Sequence, residues 1–148
     1  MQKIVIPATL PGLNEYVRAC RTHAQRGSRI SRDAHYICHL GMVPFHGKRL
    51  QSVVLVFRWY EASKRRDKDN IAFAKKFILD SLQEMDILKN DGWEQVPGFL
   101  DEFYVDKVNP RVEVLLFEPQ DKALFFRELR HWTIRIWGEY KRRDHDEL

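Results

Sequence analysis

Cysteine is scarce in this chain. Cys20 and Cys38 are the whole supply in 148 residues, too few for the disulfide framework that props up small secreted domains, which leaves an intracellular reading open. Long apolar runs are missing as well. Gln2 to Ile6 is too short for a signal-peptide core, and nothing approaches the roughly 20 apolar residues needed to span a bilayer, so a cytoplasmic protein with no membrane partner is expected. The last four residues, His145-Asp146-Glu147-Leu148, spell an ER-retention address that is not read without a signal peptide, and the match is taken as coincidence. Repeats, low-complexity tracts and interdomain linkers are also absent. What remains suits a single domain over residues 1–148, with 44% hydrophobic content to fill one core. The formal net charge is +4. Several acids fall in one stretch, so the rest of the surface is more basic than the total, which favours a polyanionic partner.

That stretch runs from Lys64 to Val96, KRRDKDNIAFAKKFILDSLQEMDILKNDGWEQV. Asp67 and Asp69 stand two apart ahead of an apolar-periodic run, so an extended backbone points both carboxylates to one side. Ile71, Ala74, Phe77, Ile78, Leu82 and Met85 follow at helical intervals and predict a helix ending near Leu88, capped by Asp69 or Asn70. On a continuous helix Asp69, Phe73, Lys76 and Asp80 share a face, and Lys76 leans back toward the aspartates. Asp91-Gly92 is a turn signal that puts a third carboxylate on a loop. Three aspartates without histidine or cysteine suit a hard cation, Mg²⁺ or alternatively Mn²⁺, which takes oxygen ligands and shares them with a phosphate substrate. Such an ion activates water and steadies charge on a phosphodiester, while a lysine neutralises the phosphate. The plainer alternative is a solvated Asp-x-Asp before an ordinary amphipathic helix, with Lys76 and Asp80 forming a surface pair.

The string Arg65-Arg66-Asp67-Lys68-Asp69-Asn70, then Lys76, Asp80-Ser81-Leu82, Asp91 and Val96, resembles the RusA family of Holliday junction resolvases. The resemblance implies a Mg²⁺-dependent endonuclease with Asp67, Asp69 and Asp91 as metal ligands, Lys76 as the assisting helix lysine and Asn70 as the asparagine after the second aspartate. It also implies a RusA-like fold and a homodimer, whose two-fold related sites would cut matched strands of a four-way junction symmetrically. Two departures stand out. Counting back from Asp80 aligns Lys76 with the family lysine, whereas counting forward from Asn70 leaves three extra residues, so Lys75 is the competing candidate. Asn90-Asp91 stands where the family often has two acids. Lys64, Arg65, Arg66, Lys68 and Lys75 are the expected DNA contacts, since aspartates alone would repel a phosphate backbone.

Elsewhere, Lys3 to Ile6 predicts a first strand. Asn14 is expected to cap a helix over 15–24, broken at Gly27, and Ser31 a second over 32–40. Arg18, Arg21, Arg26, Arg29 and Arg32 cluster there as a phosphate-facing edge. Cys20 with His23, and His35 with Cys38 and His39, form a rival zinc constellation, which would make the chain a non-catalytic, zinc-stabilised DNA-binding protein. Gln51 to Tyr60 is the strongest strand, and its run Val53 to Phe57 predicts burial on two sides. Asp101 and Glu102 read as loop acids. Phe103 to Val108 and Arg111 to Phe117 predict two strands joined as a hairpin at Asn109-Pro110. Pro119 opens a final helix with Phe125, Leu129, Trp132, Ile136 and Tyr140 on its apolar side, which core and dimer interface would share, and a frayed tail from Lys141. The order β-α-α-β-α-β-β-α describes one α+β domain, a mixed sheet with flanking helices. The function expected is a Mg²⁺-dependent endodeoxyribonuclease resolving Holliday junctions or related branched DNA.

Overall fold

A strand that is apolar at every position from Val53 to Phe57 needs cover on both faces and a ladder on both edges, and it receives both. The computed structural model describes residues 1–146, with side chains through residue 138. Its strands are β1 (Gln2–Ile6), β2 (Val54–Glu61), β3 (Phe99–Val105) and β4 (Arg111–Phe117), in the order β1-β4-β2-β3. β2 runs parallel to β3, from Leu55↔Phe99 to Glu61↔Val105, and antiparallel to β4, from Val54↔Phe117 to Tyr60↔Arg111. β1 closes the sheet antiparallel to β4.

The expected hairpin is therefore absent, because β2 lies between β3 and β4. A hairpin would have pushed the most apolar strand toward an edge, where one row of its backbone groups goes unpaired. The connection at Asn109-Pro110 instead passes over the end of β2. Asp106 donates its backbone N–H to Glu61 O at 2.8 Å, and its carboxylate accepts from the amides of Val108 and Asn109 and from Arg111.

The parallel β2–β3 pair requires a crossover, which is formed by α3 (Lys68–Ala72) and α4 (Lys75–Glu84). These two helices, with α1 (Leu13–Thr22) and α2 (Ala24–Met42), cover one face of the sheet, where Ile4, Leu55, Phe57, Trp59, Val114 and Leu116 join Cys38, Ile78 and Leu82 in the main core. The break expected at Gly27 is not there, since α2 is one 19-residue helix. Gly27 is buried in it, and a Cβ at that position would lie 2.4 Å from Cys20 Sγ. The glycine serves the close approach of α1 to α2.

The other face is covered by α5 (Lys122–Asp146), whose Phe125 packs on Val56, Leu115 and Phe117. Beneath α5 lies a polar network. Arg58 pairs with Glu128, and Tyr104 donates to Glu102 at 2.7 Å. Glu102 is 3% exposed, and burial, joined by the neighbouring Glu128 carboxylate, pushes its carboxyl up to about 7. Helix α5 continues to Asp146 past the expected fraying point, while Glu147 and Leu148 of the C-terminal tetrapeptide fall outside the described residues. No helix among the described residues is long and apolar enough to cross a membrane.

Candidate metal and nucleic-acid site

The loop after β2 is fastened before it delivers its aspartates. Arg66 closes back on Glu61, with Nη2 on Oε1 at 2.5 Å and Nε on Oε2 at 3.3 Å, and donates to Leu10 O at 3.0 Å. Of the basic residues expected to meet DNA, Arg66 is thus engaged in holding the loop, while Lys64 and Arg65 are exposed. Lys68 is exposed too, its ammonium 5.8 Å above the Phe103 ring. Asp67 takes the N-cap position of α3 with an extended backbone (φ −68°, ψ 154°) but caps no amide with its side chain. Asp69 follows in the first turn. Both carboxylates face solvent.

Asn70, expected as a cap for its own helix, caps another. Its Oδ1 accepts from the backbone N–H of Asn14 at 2.9 Å, near the start of α1, whose own N-cap is Gly12 and has no side chain to offer. A Cβ on Gly12 would lie 2.6 Å from that Oδ1. The glycine admits the asparagine, and the asparagine satisfies an amide that the glycine cannot.

The helix expected to be continuous through Lys76 is interrupted at Phe73 and Ala74. Ala74 bonds to Ile71 O at 3.2 Å, Lys76 to Phe73 O at 3.1 Å and Phe77 to Ala74 O at 3.0 Å, so the bonding tightens locally to the i→i+3 pattern. Such a turn advances about 120° per residue where an α-helix advances about 100°. Extrapolation of a helical face from Asp69 to Lys76 therefore fails. The turn is held by aromatic contacts, with Phe73 and Phe77 each packed on Tyr16 and on one another at centroid distances of 5.5–5.7 Å.

The two lysines part company past this turn. Lys75 points inward, 14% exposed, with Nζ 2.6 Å from Asp101 Oδ2 and 4.0 Å from the centroid of Phe99. Asp101 also accepts from Trp59 Nε1 at 2.9 Å. Lys75, expected at the DNA surface, is a part-buried ion-pair partner. Lys76 is 65% exposed and pairs with Asp80 at 2.9 Å. The hydrogen bond to Asp80 and that residue's charge, joined by the charge of Asp91, hold the Lys76 ammonium above the ordinary lysine value. The loop thus returns Asp91 to the neighbourhood of Lys76 and Asp80.

Asp67 and Asp69 thus stand at the start of α3, Asp80 pairs with Lys76, and the charge of Asp91 acts on Lys76. Among the described residues no three His, Cys, Asp or Glu side chains converge on a point where a metal ion could sit. The donor chemistry of Asp67 and Asp69, exposed oxygens only, nevertheless fits a hard cation, which uses one or two carboxylates and completes its shell with water and phosphate. The zinc set is dispersed differently. Cys20 is exposed and Cys38 is buried, its thiol pushed up to about 12 by burial, which opposes the thiolate that zinc needs. His35 and His39 both contact Glu84, at 2.7 Å each.

Asp101 and Trp59 were not legible as parts of this neighbourhood, although the alternation Phe99-Asp101-Phe103 carries the signal that a strand would turn all three the same way. No protein-family model matches the chain, and no curated protein matches it.

Proposed function

We propose that the chain is a cytoplasmic, Mg²⁺-dependent endodeoxyribonuclease that acts as a homodimer on Holliday junctions or related branched DNA. The observation that carries this reading is the pair Asp67 and Asp69, two solvent-facing carboxylates at the start of α3 in a loop whose Lys64, Arg65 and Lys68 are also exposed. Acids and bases in such alternation suit a phosphate backbone held by cations beside a hard-metal site.

Asp67 and Asp69 would hold the ion, with Asp91 the third ligand that the family resemblance supplies. Mg²⁺ bound there supplies a water of lowered pKa and stabilises the charge that gathers on the phosphodiester. Lys64, Arg65 and Lys68 attract and register the backbone. Lys76, exposed and held charged by Asp80 and Asp91, offers a cation to the phosphate without being a metal ligand. The partner reading rests on α5, which leaves Phe126, Ile134 and Trp137 44–61% exposed when Ile136 is counted with them. Apolar and aromatic groups of this kind form the cores of homodimer interfaces.

The test is cleavage of a synthetic four-way junction with and without Mg²⁺, with the oligomeric state of the same preparation measured by sedimentation. Asp67→Asn and Asp69→Asn are expected to abolish cleavage and preserve DNA binding, because removing negative charge near phosphate does not weaken the electrostatic attraction. Near-normal cleavage by Asp69→Asn would remove the basis of the assignment.

A further inference from the structure

Trp93 is 96% exposed, so almost the whole indole stands in water. A tryptophan is amphipathic and normally buries most of its ring. The residue sits on a built turn: Val96 donates its N–H to Gly92 O at 2.9 Å, and Val53 donates to Gln95 O at 2.8 Å, with Val96 packed on the main core. The turn is therefore tied to the sheet on one side of Trp93. On the other side, two residues earlier, stands Asp91, the third acid of the candidate site. Two residues of chain span at most about 7 Å, so the indole is within reach of a base whose backbone lies along Asp91. Lys89 on the same loop is exposed as well.

We propose that Trp93 is a stacking platform for a DNA base laid bare where strands branch, and that it is the residue by which this protein prefers branched DNA to continuous duplex. This inference rests on the nucleic-acid reading above and names the feature of the substrate that its site selects. An intact duplex offers no free base face to the indole, since its bases are stacked on each other. A branch point exposes the terminal faces of its arms, and aromatic stacking accepts any base because every base has a π-face. Lys76 and Lys89 place cations where the adjoining phosphates would run.

The experiment uses the full chain in Ca²⁺ without Mg²⁺, with a synthetic four-way junction carrying 2-aminopurine at the branch and a duplex carrying it internally. Binding to the junction is expected to change the 2-aminopurine emission by stacking. Trp93→Ala should abolish that change and weaken junction binding by tenfold or more, on the order of the loss of one stacked base, with duplex affinity unchanged. Trp93→Phe should retain most of both. Because the side chain touches almost nothing, the variants should melt with the parent protein, which a thermal scan checks. Unchanged junction affinity and emission in Trp93→Ala would overturn the inference while leaving the nuclease reading intact. Junction binding with Trp93-dependent emission but no Mg²⁺-dependent cleavage by the parent protein would do the reverse.

Discussion

Lys75→Ala removes an ammonium lodged between Asp101 and the Phe99 ring, and the cost can be worked from what is left behind. Breaking a fully buried ion pair costs about 3–5 kcal/mol, because the surviving charge stays desolvated. Here the side chains of Lys75 and Asp101 are 14% and 22% exposed, and Trp59 still donates to Asp101, so about 2 kcal/mol is a fairer share. The lost aliphatic stem and its contact with Phe99 add about 1 kcal/mol. A total of about 3 kcal/mol corresponds, for a chain of this size, to a fall in melting temperature of roughly 6–12 °C. The assay is a double-mutant cycle in urea and by calorimetry, with Lys75→Ala, Asp101→Asn and the double variant. The double variant should be less unstable than the sum of the singles, by about 1–3 kcal/mol of coupling. A Lys75→Ala protein that melts within about 2 °C of the parent, or strict additivity in the cycle, would refute the part-buried pairing of Lys75 with Asp101.

Lys76→Ala should behave oppositely, leaving the melting temperature nearly unchanged because an exposed pair contributes well under about 1 kcal/mol, while lowering single-turnover cleavage about a hundredfold at saturating Mg²⁺. Glu102 titrates near 7 in the folded chain against an ordinary 4.5, so the folded state holds the extra proton between those values and stability should fall as pH rises from about 4.5 to about 7. The lowered carboxyl of its partner Glu128 works the other way, leaving a net loss of about 1–3 kcal/mol; thermal scans from pH 5 to 8 should show it in the parent but not in Glu102→Gln, and equal slopes in both would count against it. Asn70→Ala should cost about 1 kcal/mol, the loss of one helix cap, and raise amide exchange in the first turn of α1, whereas Asn70→Asp should keep the cap; exchange unchanged at Asn14 in the alanine variant would show that the bond carries no weight.

Much of the architecture can be read along the chain because it is locally determined. Val53 to Phe57 announces a central strand, and the spacing of Phe77, Ile78 and Leu82 announces the buried side of α4, since burial on one element leaves a periodic trace. The pairing of β3 and β4 leaves none. Asn109-Pro110 is a valid turn whether the strands on either side pair with each other or flank a third, and only the demand of β2 for two neighbours decides between them. Gly27 poses the same problem, because a glycine that breaks a helix and one that lets two helices touch look identical in composition. At the candidate site, the exposed placing of Asp67 and Asp69 at a helix start can be read along the chain, but the facing of Lys75 and Lys76 cannot. It depends on a tightened turn at Phe73–Ala74, set by packing against Tyr16 from a distant part of the chain. The inward Asp101, which receives Lys75, was obscured by its charge, which reads as a loop residue until the strand around it is known.

The cap that Asn70 places on Asn14 joins positions 56 residues apart, and it has a kinetic consequence. β1 pairs with β4 across more than 100 residues, with Ile4 opposite Val114, so much of the native contact map is non-local and its loops must close before the contacts that reward them exist. The aspartate pair is covalently next to Asn70, yet its position is referenced to an N-terminal helix made more than 50 residues earlier. A chain in which the α1–α2 hairpin has not yet docked would carry Asp67 and Asp69 on an untethered segment. On the metal reading proposed above, competence to bind a cation at these two residues should therefore arrive among the last events of refolding, after the central strands have acquired their protection.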